Sequence, residues 1–165
     1  MKGGEMKSIV IYSSQTGNTK KLAQTVYETL IGEKDIYPVA EAPEPTNYDF
    51  IAVGFWLQAG KPDPKTSEYL QKIKNGEKLF LFATHGASPD SGHAKAAIQQ
   101  AKELASSSEI VGTFNCQGEV NPKVIEKVSA KPEPPDWLRD APSAVGHPDE
   151  NDLENLKNII NSLMH

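Results

Sequence analysis

Apolar residues along this chain keep two rhythms. In the first they run without interruption: Ser8-Ile9-Val10-Ile11-Tyr12, Tyr48-Asp49-Phe50-Ile51-Ala52-Val53-Gly54-Phe55-Trp56-Leu57, Lys78-Leu79-Phe80-Leu81-Phe82-Ala83-Thr84 and Glu109-Ile110-Val111-Gly112-Thr113-Phe114-Asn115. Runs that do not alternate with polar residues suit strands buried on both faces. In the second rhythm they recur at helical spacing. Leu22, Val26, Leu30 and Ile31 form one such stripe, and Tyr69, Leu70 and Ile73 behind Pro64 form another. Ala94, Ala97, Ile98, Ala101, Leu104 and Ala105 make a small-residue stripe suited to close packing on a sheet, and Leu153, Leu156, Ile159, Ile160 and Leu163 follow Pro148-Asp149. Ile36-Tyr37-Pro38-Val39, short and interrupted by proline, suits an edge strand.

Strand and helix therefore alternate, which predicts a parallel sheet covered on both faces, with right-handed crossovers. In such sheets ligands gather at the carboxyl ends of the strands, near the switch point. The loops expected at that end follow the first, third, fourth and fifth strands. A stretch without long periodicity, residues 119–146, separates the fifth strand from the last helix. Val120 to Val128 suits a short helix, and Lys131-Pro132-Glu133-Pro134-Pro135-Asp136-Trp137-Leu138 is expected to form an extended, semi-rigid strap packed on the body through Trp137.

The densest chemistry follows the first strand. Ser13, Ser14, Gln15, Thr16, Gly17, Asn18 and Thr19 put hydroxyls, an amide and a glycine where a helix begins. Free N–H groups of a helix's first turn, the helix dipole and neighbouring hydroxyls together can surround a phosphate without a cationic side chain. A plain capped helix behind a polar turn is the simpler reading. The number of donors and their place after the first strand favour phosphate. At the tip of the third strand, Trp56 and Leu57 would face water unless a ligand or another segment covers them.

Composition narrows the classes. The chain has 165 residues, expected as one domain over residues 7–165 behind a disordered leader at 1–6. Its formal charge is -5 and its lysines are scattered, which sets nucleic acid aside. One cysteine, Cys116, leaves no internal disulfide and no cysteine metal cluster, and no basic partner is placed to make it a nucleophile. No run approaches bilayer length, so a cytoplasmic protein without a membrane partner is expected. No Gly-x-Gly-x-x-Gly follows a strand, no Gly-Lys-Ser/Thr ends the cradle, and no His and carboxylate spacing points to a metal. His93 and His147 are expected as ordinary polar residues at helix starts, and Asp63, Asp90 and Glu119 as solvated carboxylates rather than sources of negative field at the site.

From Lys7 to His165 the chain resembles the flavodoxin family, and Ser14-Gln15-Thr16-Gly17-Asn18-Thr19 is similar to that family's phosphate loop for flavin mononucleotide (FMN). The resemblance implies an α/β three-layer flavodoxin-like sandwich with a five-stranded parallel sheet of order 2-1-3-4-5, here with a strap between the fifth strand and the last helix. It implies FMN as cofactor, its phosphate held by Ser14, Gln15, Thr16, Asn18 and Thr19 with Ser13 beside them, and Gly17 giving the backbone its close approach. Phe55-Trp56-Leu57-Gln58-Ala59-Gly60 looks like the family's first flavin-contacting loop, with Trp56 stacked on the ring. Thr84, His85, Gly86, Ala87 and Asp90 stand where the second should be, and Cys116, Gln117 and Gly118 lie near the ring. The family's second loop commonly carries an aromatic over the outer flavin face, and none lies between Phe82 and Phe114. Either His85 or Trp137 takes that place, or the face is open. Lys61 puts a cation beside a loop whose family setting is usually acidic.

Flavin brings its own redox chemistry, so the protein must bind, orient and tune it, and no acid–base dyad is required. A carbonyl of Gly60, or of the Ala59-Gly60 peptide, could accept a hydrogen bond from the ring. The expected function is a one-electron carrier between redox partner proteins rather than an enzyme, in a monomer or weak homodimer. The alternative is an NAD(P)H-dependent FMN or quinone reductase, or a flavin-delivering partner of one, with the strap shaping a substrate pocket. A flavin-free binding module is a third class.

Overall fold

The computed structural model describes residues 6–58 and 60–164, so most of the expected leader, and Ala59, lie outside the described residues. Chain order is β1 (Lys7–Tyr12), α1 (Asn18–Thr29), β2 (Glu33–Pro38), β3 (Phe50–Gln58), β4 (Lys61–Pro62), α2 (Pro64–Leu70), β5 (Lys78–His85), α3 (Gly92–Leu104), β6 (Glu109–Gln117), α4 (Pro122–Ser129) and α5 (Glu150–Met164). The sheet runs β2-β1-β3-β5-β6, with these pairs parallel, while β4 folds back antiparallel on the tip of β3. Because β4 is a two-residue addition, the five parallel strands stand in the order expected for a flavodoxin-like sheet.

Successive side chains on each strand point to opposite faces, and both faces are apolar. Ile9, Ile11, Ile51, Val53, Leu79 and Leu81 meet Tyr69 and Leu70 of α2 and Ile98 and Ala101 of α3. Val10, Ala52, Phe80 and Phe82 meet Leu22, Ala23 and Val26 of α1 and Leu156 and Ile160 of α5 on the other side. That is why the strands read as unbroken apolar runs. The edge strand begins at Glu33, ahead of the apolar stretch that marked it, because Glu33, Lys34 and Asp35 pair with Lys7, Ser8 and Ile9 in the β1 ladder, with Lys7 Nζ 3.9 Å from Glu33 Oε2. Met6 accepts from the Glu33 N–H and so already belongs to this edge.

Between β6 and α5 the short helix expected over Val120 to Val128 is present as α4, while the residues behind it differ from the extended strap that their prolines suggest. Asn121 caps α4 by accepting from the Lys123 N–H, with Pro122 in the first turn, and residues 136–144 form 3-10 turns rooted by buried Ala141 and Ala144. Proline fixes φ but suits a helix's first turn as well as an extended chain, and here the capping asparagine decides. No helix of the described residues is long and apolar enough to cross a membrane.

Gly54, at the centre of β3, lies against the buried Phe82 ring, which occupies the space a side chain would need. Gly54→Ala should cost roughly 1–3 kcal/mol through overpacking. Gly92→Ala, at a helical position with open space around it, should be neutral or slightly stabilising. Thermal melts of the two variants check this: a drop of several degrees for the first alone is expected.

Candidate functional site

The loops at the carboxyl ends of β1, β3, β5 and β6 converge on a cleft of about 1270 Å³. Ser14, Gln15, Thr16, Asn18 and Thr19 line one end, Trp56, Leu57 and Gly60 the side after β3, and Thr84, His85, Gly86 and Ala87 the side after β5, with Gly118 beyond β6. The strap closes the far side through Val120, Val124 and Trp137.

At the polar end, α1 starts differently from the helices around it. Asp63 caps α2, Ser91 caps α3 and Asn121 caps α4, each accepting a first-turn N–H on its side chain. The N-cap of α1 is Gly17, which has φ 94° and no side chain with which to cap. Only glycine holds that left-handed conformation without strain. Its own N–H donates to Ser14 Oγ at 3.0 Å, which folds the loop back over the helix start. The first-turn donors are thus left to an outside acceptor, at the positive end of the helix dipole. Among the described residues of the loop there is no cation, and nearby Lys21 donates its Nζ to the Pro148 carbonyl at 2.7 Å. The loop is braced from both sides. Thr19 and Thr84 hydroxyls bond at 2.9 Å where both residues are buried, and Asn18 Nδ2 donates to the Glu119 carbonyl at 3.0 Å while packing over Gly118.

The other end is flat and aromatic. Trp56 is half-buried at the tip of β3, Gly60 turns with φ 77° against the His93 ring, and Trp137 packs on Gly86. His85 is 8% exposed and pairs Nε2 with Asn115 Oδ1 at 2.8 Å, while its Nδ1 is buried with no hydrogen-bond partner. Burial holds its pKa below the usual histidine range, and the bond to Asn115 opposes this only in part. The ring is therefore neutral near pH 7. Hydrogen-bond donors at one end and a broad aromatic slot at the other match a phosphate ester carrying a flat heterocycle, so the donor set fits FMN.

Several expected contacts lie off the cleft wall. Ser13 Oγ donates to Asp63 Oδ2 at 2.8 Å, so that hydroxyl is committed to the start of α2. Asp63 itself is buried and also accepts from Thr66, so it is not the solvated carboxylate that sequence suggests. Phe55 is wholly buried in the core, and Cys116 points into the layer under α1 and α5. Gln117 reaches the strap, Asp90 is exposed beyond the lining, and Gly17 takes part through its backbone. His93 and Val120 line the cleft without having been assigned to it, and Gln58 of the expected ring loop and Trp137, one of the two candidates for the outer face, line it as well. Val120 and Trp137 arrive by folding of the strap, of which the sequence announces only the aromatic anchor Trp137. His147, Asp149 and Asp152 come within 4.8 Å of one another, although no spacing suggested it. They serve the start of α5: the Asp149 N–H donates to Asp152, the Asp152 N–H donates to Asp149, and His147 Nδ1 sits 2.6 Å from Asp152 Oδ2.

His85 yields a test of sign. Its folded pKa lies below the unfolded value of about 6.5, so the unfolded chain takes up its proton first and the folded state loses stability as pH falls below that value. Melting temperatures from pH 7 to 5 should fall more steeply for the native chain than for His85→Gln; parallel curves would contradict the assignment.

Residues 9–161 match the family model described as a flavodoxin domain. The chain is 33% identical, over an alignment of 171 positions, to the flavodoxin-like domain-containing protein BilS of Clostridioides difficile, covering 96% of this chain and 97% of that one. A flavodoxin from the domain Archaea superposes with a TM-score of 0.65 at 16% identity, covering 96% of each chain. A flavoprotein of Lactobacillus acidophilus solved in complex with FMN superposes with a TM-score of 0.55 at 18% identity, over 75% of this chain and 99% of that one. With its sheet order and a domain match over almost its whole length, this chain belongs to the flavodoxin domain family.

Proposed function

We propose that this protein binds FMN in the cleft and works as a one-electron carrier between redox partner proteins. The observation that carries the reading is the start of α1: a helix left uncapped by any side chain, opening beside Trp56 into a cleft of nucleotide size. The FMN complex of the Lactobacillus acidophilus flavoprotein supports the choice of nucleotide.

The first-turn N–H groups of α1, with the hydroxyls of Ser14 and Thr16, bind the phosphate, and Gly17 keeps those donors exposed. Trp56 offers a flat apolar surface to one face of the ring. Gly60 lets the chain turn at the ring's edge, against His93. FMN supplies the electron chemistry when bound, and the protein orients it and excludes water. His85, the buried titratable side chain of the wall, is neutral and tied to Asn115, which suits a carrier that needs no proton relay.

One observation favours a second reading. The cleft, at about 1270 Å³, exceeds the roughly 300–1,000 Å³ of ordinary small-molecule sites, and it continues along α4 past Trp137. That space suits a flavin reductase, with a nicotinamide or quinone beside the ring.

Anaerobic reductive titration of the FMN-loaded protein separates the two. Two resolved one-electron steps, with no bleaching by NADH or NADPH alone, are expected of the carrier; one two-electron step with rapid bleaching identifies the reductase. A protein that takes up no flavin overturns both. Thr16→Ala should weaken FMN binding roughly 10- to 150-fold, the range of one charge-assisted hydrogen bond of about 1.5–3 kcal/mol, measured by quenching of flavin fluorescence.

A further inference from the structure

On the assignment of FMN to the cleft, we propose that Trp137, carried on the strap after β6, covers the outer face of the flavin ring, and that a latch built from Gln117 and Asp140 positions it there. Three observations converge on it. No aromatic residue lies between Phe82 and Phe114, so the loop after β5 has none of its own to cover a ring. Within that loop Gly86 has no side chain, and the strap's Val120 and the Trp137 indole occupy the space over it. A side chain at Gly86 would come within 2.6 Å of Val120 Cγ2, 3.1 Å of Trp137 Cε3 and 3.2 Å of Cζ3. Trp137 also lines the same cleft as Trp56 and is only half-buried, leaving ring surface to cover a ligand.

The latch explains how a long connection can hold an indole in register. Gln117 Nε2 lies 3.3 Å from the Gly86 carbonyl, 3.1 Å from the Asp140 carbonyl and 2.9 Å from Ser143 Oγ. The Ser88 N–H donates to Asp140 Oδ2 at 3.1 Å. These bonds tie the 3-10 turns that carry Trp137 to the end of β6 and to the loop after β5, on both sides of Gly86. An indole offers a large rigid surface at little entropic cost, and a stacked aromatic contact adds to its area burial. Gln117 and Asp140 are positioning residues in this arrangement. They act on the ring through Trp137.

Trp56 and Trp137 are the chain's two tryptophans. The Trp56→Phe variant labelled with 5-fluorotryptophan therefore gives one fluorine resonance, that of Trp137. Adding FMN should shift it upfield by ring current. Trp137→Ala should weaken FMN and riboflavin equally, each roughly 3- to 10-fold, with Trp137→Phe restoring most of the loss; Gln117→Ala, which loosens the latch, should give part of it. An equal loss for both flavins places the effect at the ring and away from the phosphate. If FMN binds the native chain while the Trp137 resonance stays put and Trp137→Ala keeps native affinity, the proposal is overturned and the FMN assignment stands. If the native chain binds no FMN, both fall.

Discussion

A helix begins with main-chain N–H groups that have no partner within the helix, and most helices spend them on a side chain one residue upstream. In this protein Asp63, Ser91 and Asn121 perform that service for α2, α3 and α4, while Gly17 leaves the start of α1 open. An anion docked there gains several N–H bonds and the favourable end of the dipole, and brings no buried cation that would need compensation when it leaves. The other features of the cleft take their positions from that end. A phosphate held by the loop after β1 fixes where a ring attached to it can reach, and the strands next to β1 decide what it meets.

The sheet supplies those positions through register. Trp56 pairs with Thr84 across β3 and β5, and Thr84 pairs with Cys116 across β5 and β6, so the ends of three strands arrive at one level. The buried Thr19–Thr84 bond then joins the first helix to that level. Rigidity comes from the two apolar layers. Large side chains such as Phe80, Phe82, Leu79 and Leu81 are fully buried, each contributing about 1.5–3 kcal/mol, and the strands have little freedom to slide beneath the loops. Variation is left to the connections. The strap and the β4 turn belong to them, and both border the ring end of the cleft.

Where a feature depends on local pattern, the amino-acid order announces it. The buried strands appear as apolar runs, the helices as stripes, and the cradle as a cluster of hydroxyls around Gly17. Features that depend on distant partners are silent. Ser13 looks like a loop donor until Asp63 is seen to accept its hydroxyl, and Cys116 looks near the ring until its facing side of the sheet is known. The polar start of β2 is held by its ladder with β1 and by the reach of Lys34 Nζ to the Tyr27 and Leu30 carbonyls, partners that the local pattern does not show. Residues 136–144 coil into 3-10 turns where composition presents an extended proline-rich segment, and only tertiary folding brings Trp137 back onto Gly86.

As proposed, uncharged main-chain and hydroxyl donors at the start of α1 hold the phosphate of the flavin nucleotide. Calorimetric titration with FMN and with riboflavin, which share the ring and differ in that phosphate, tests it most directly. Two or more charge-assisted bonds at about 1.5 kcal/mol each predict FMN binding roughly 100-fold tighter or more. Equal affinities for the two compounds would contradict the account.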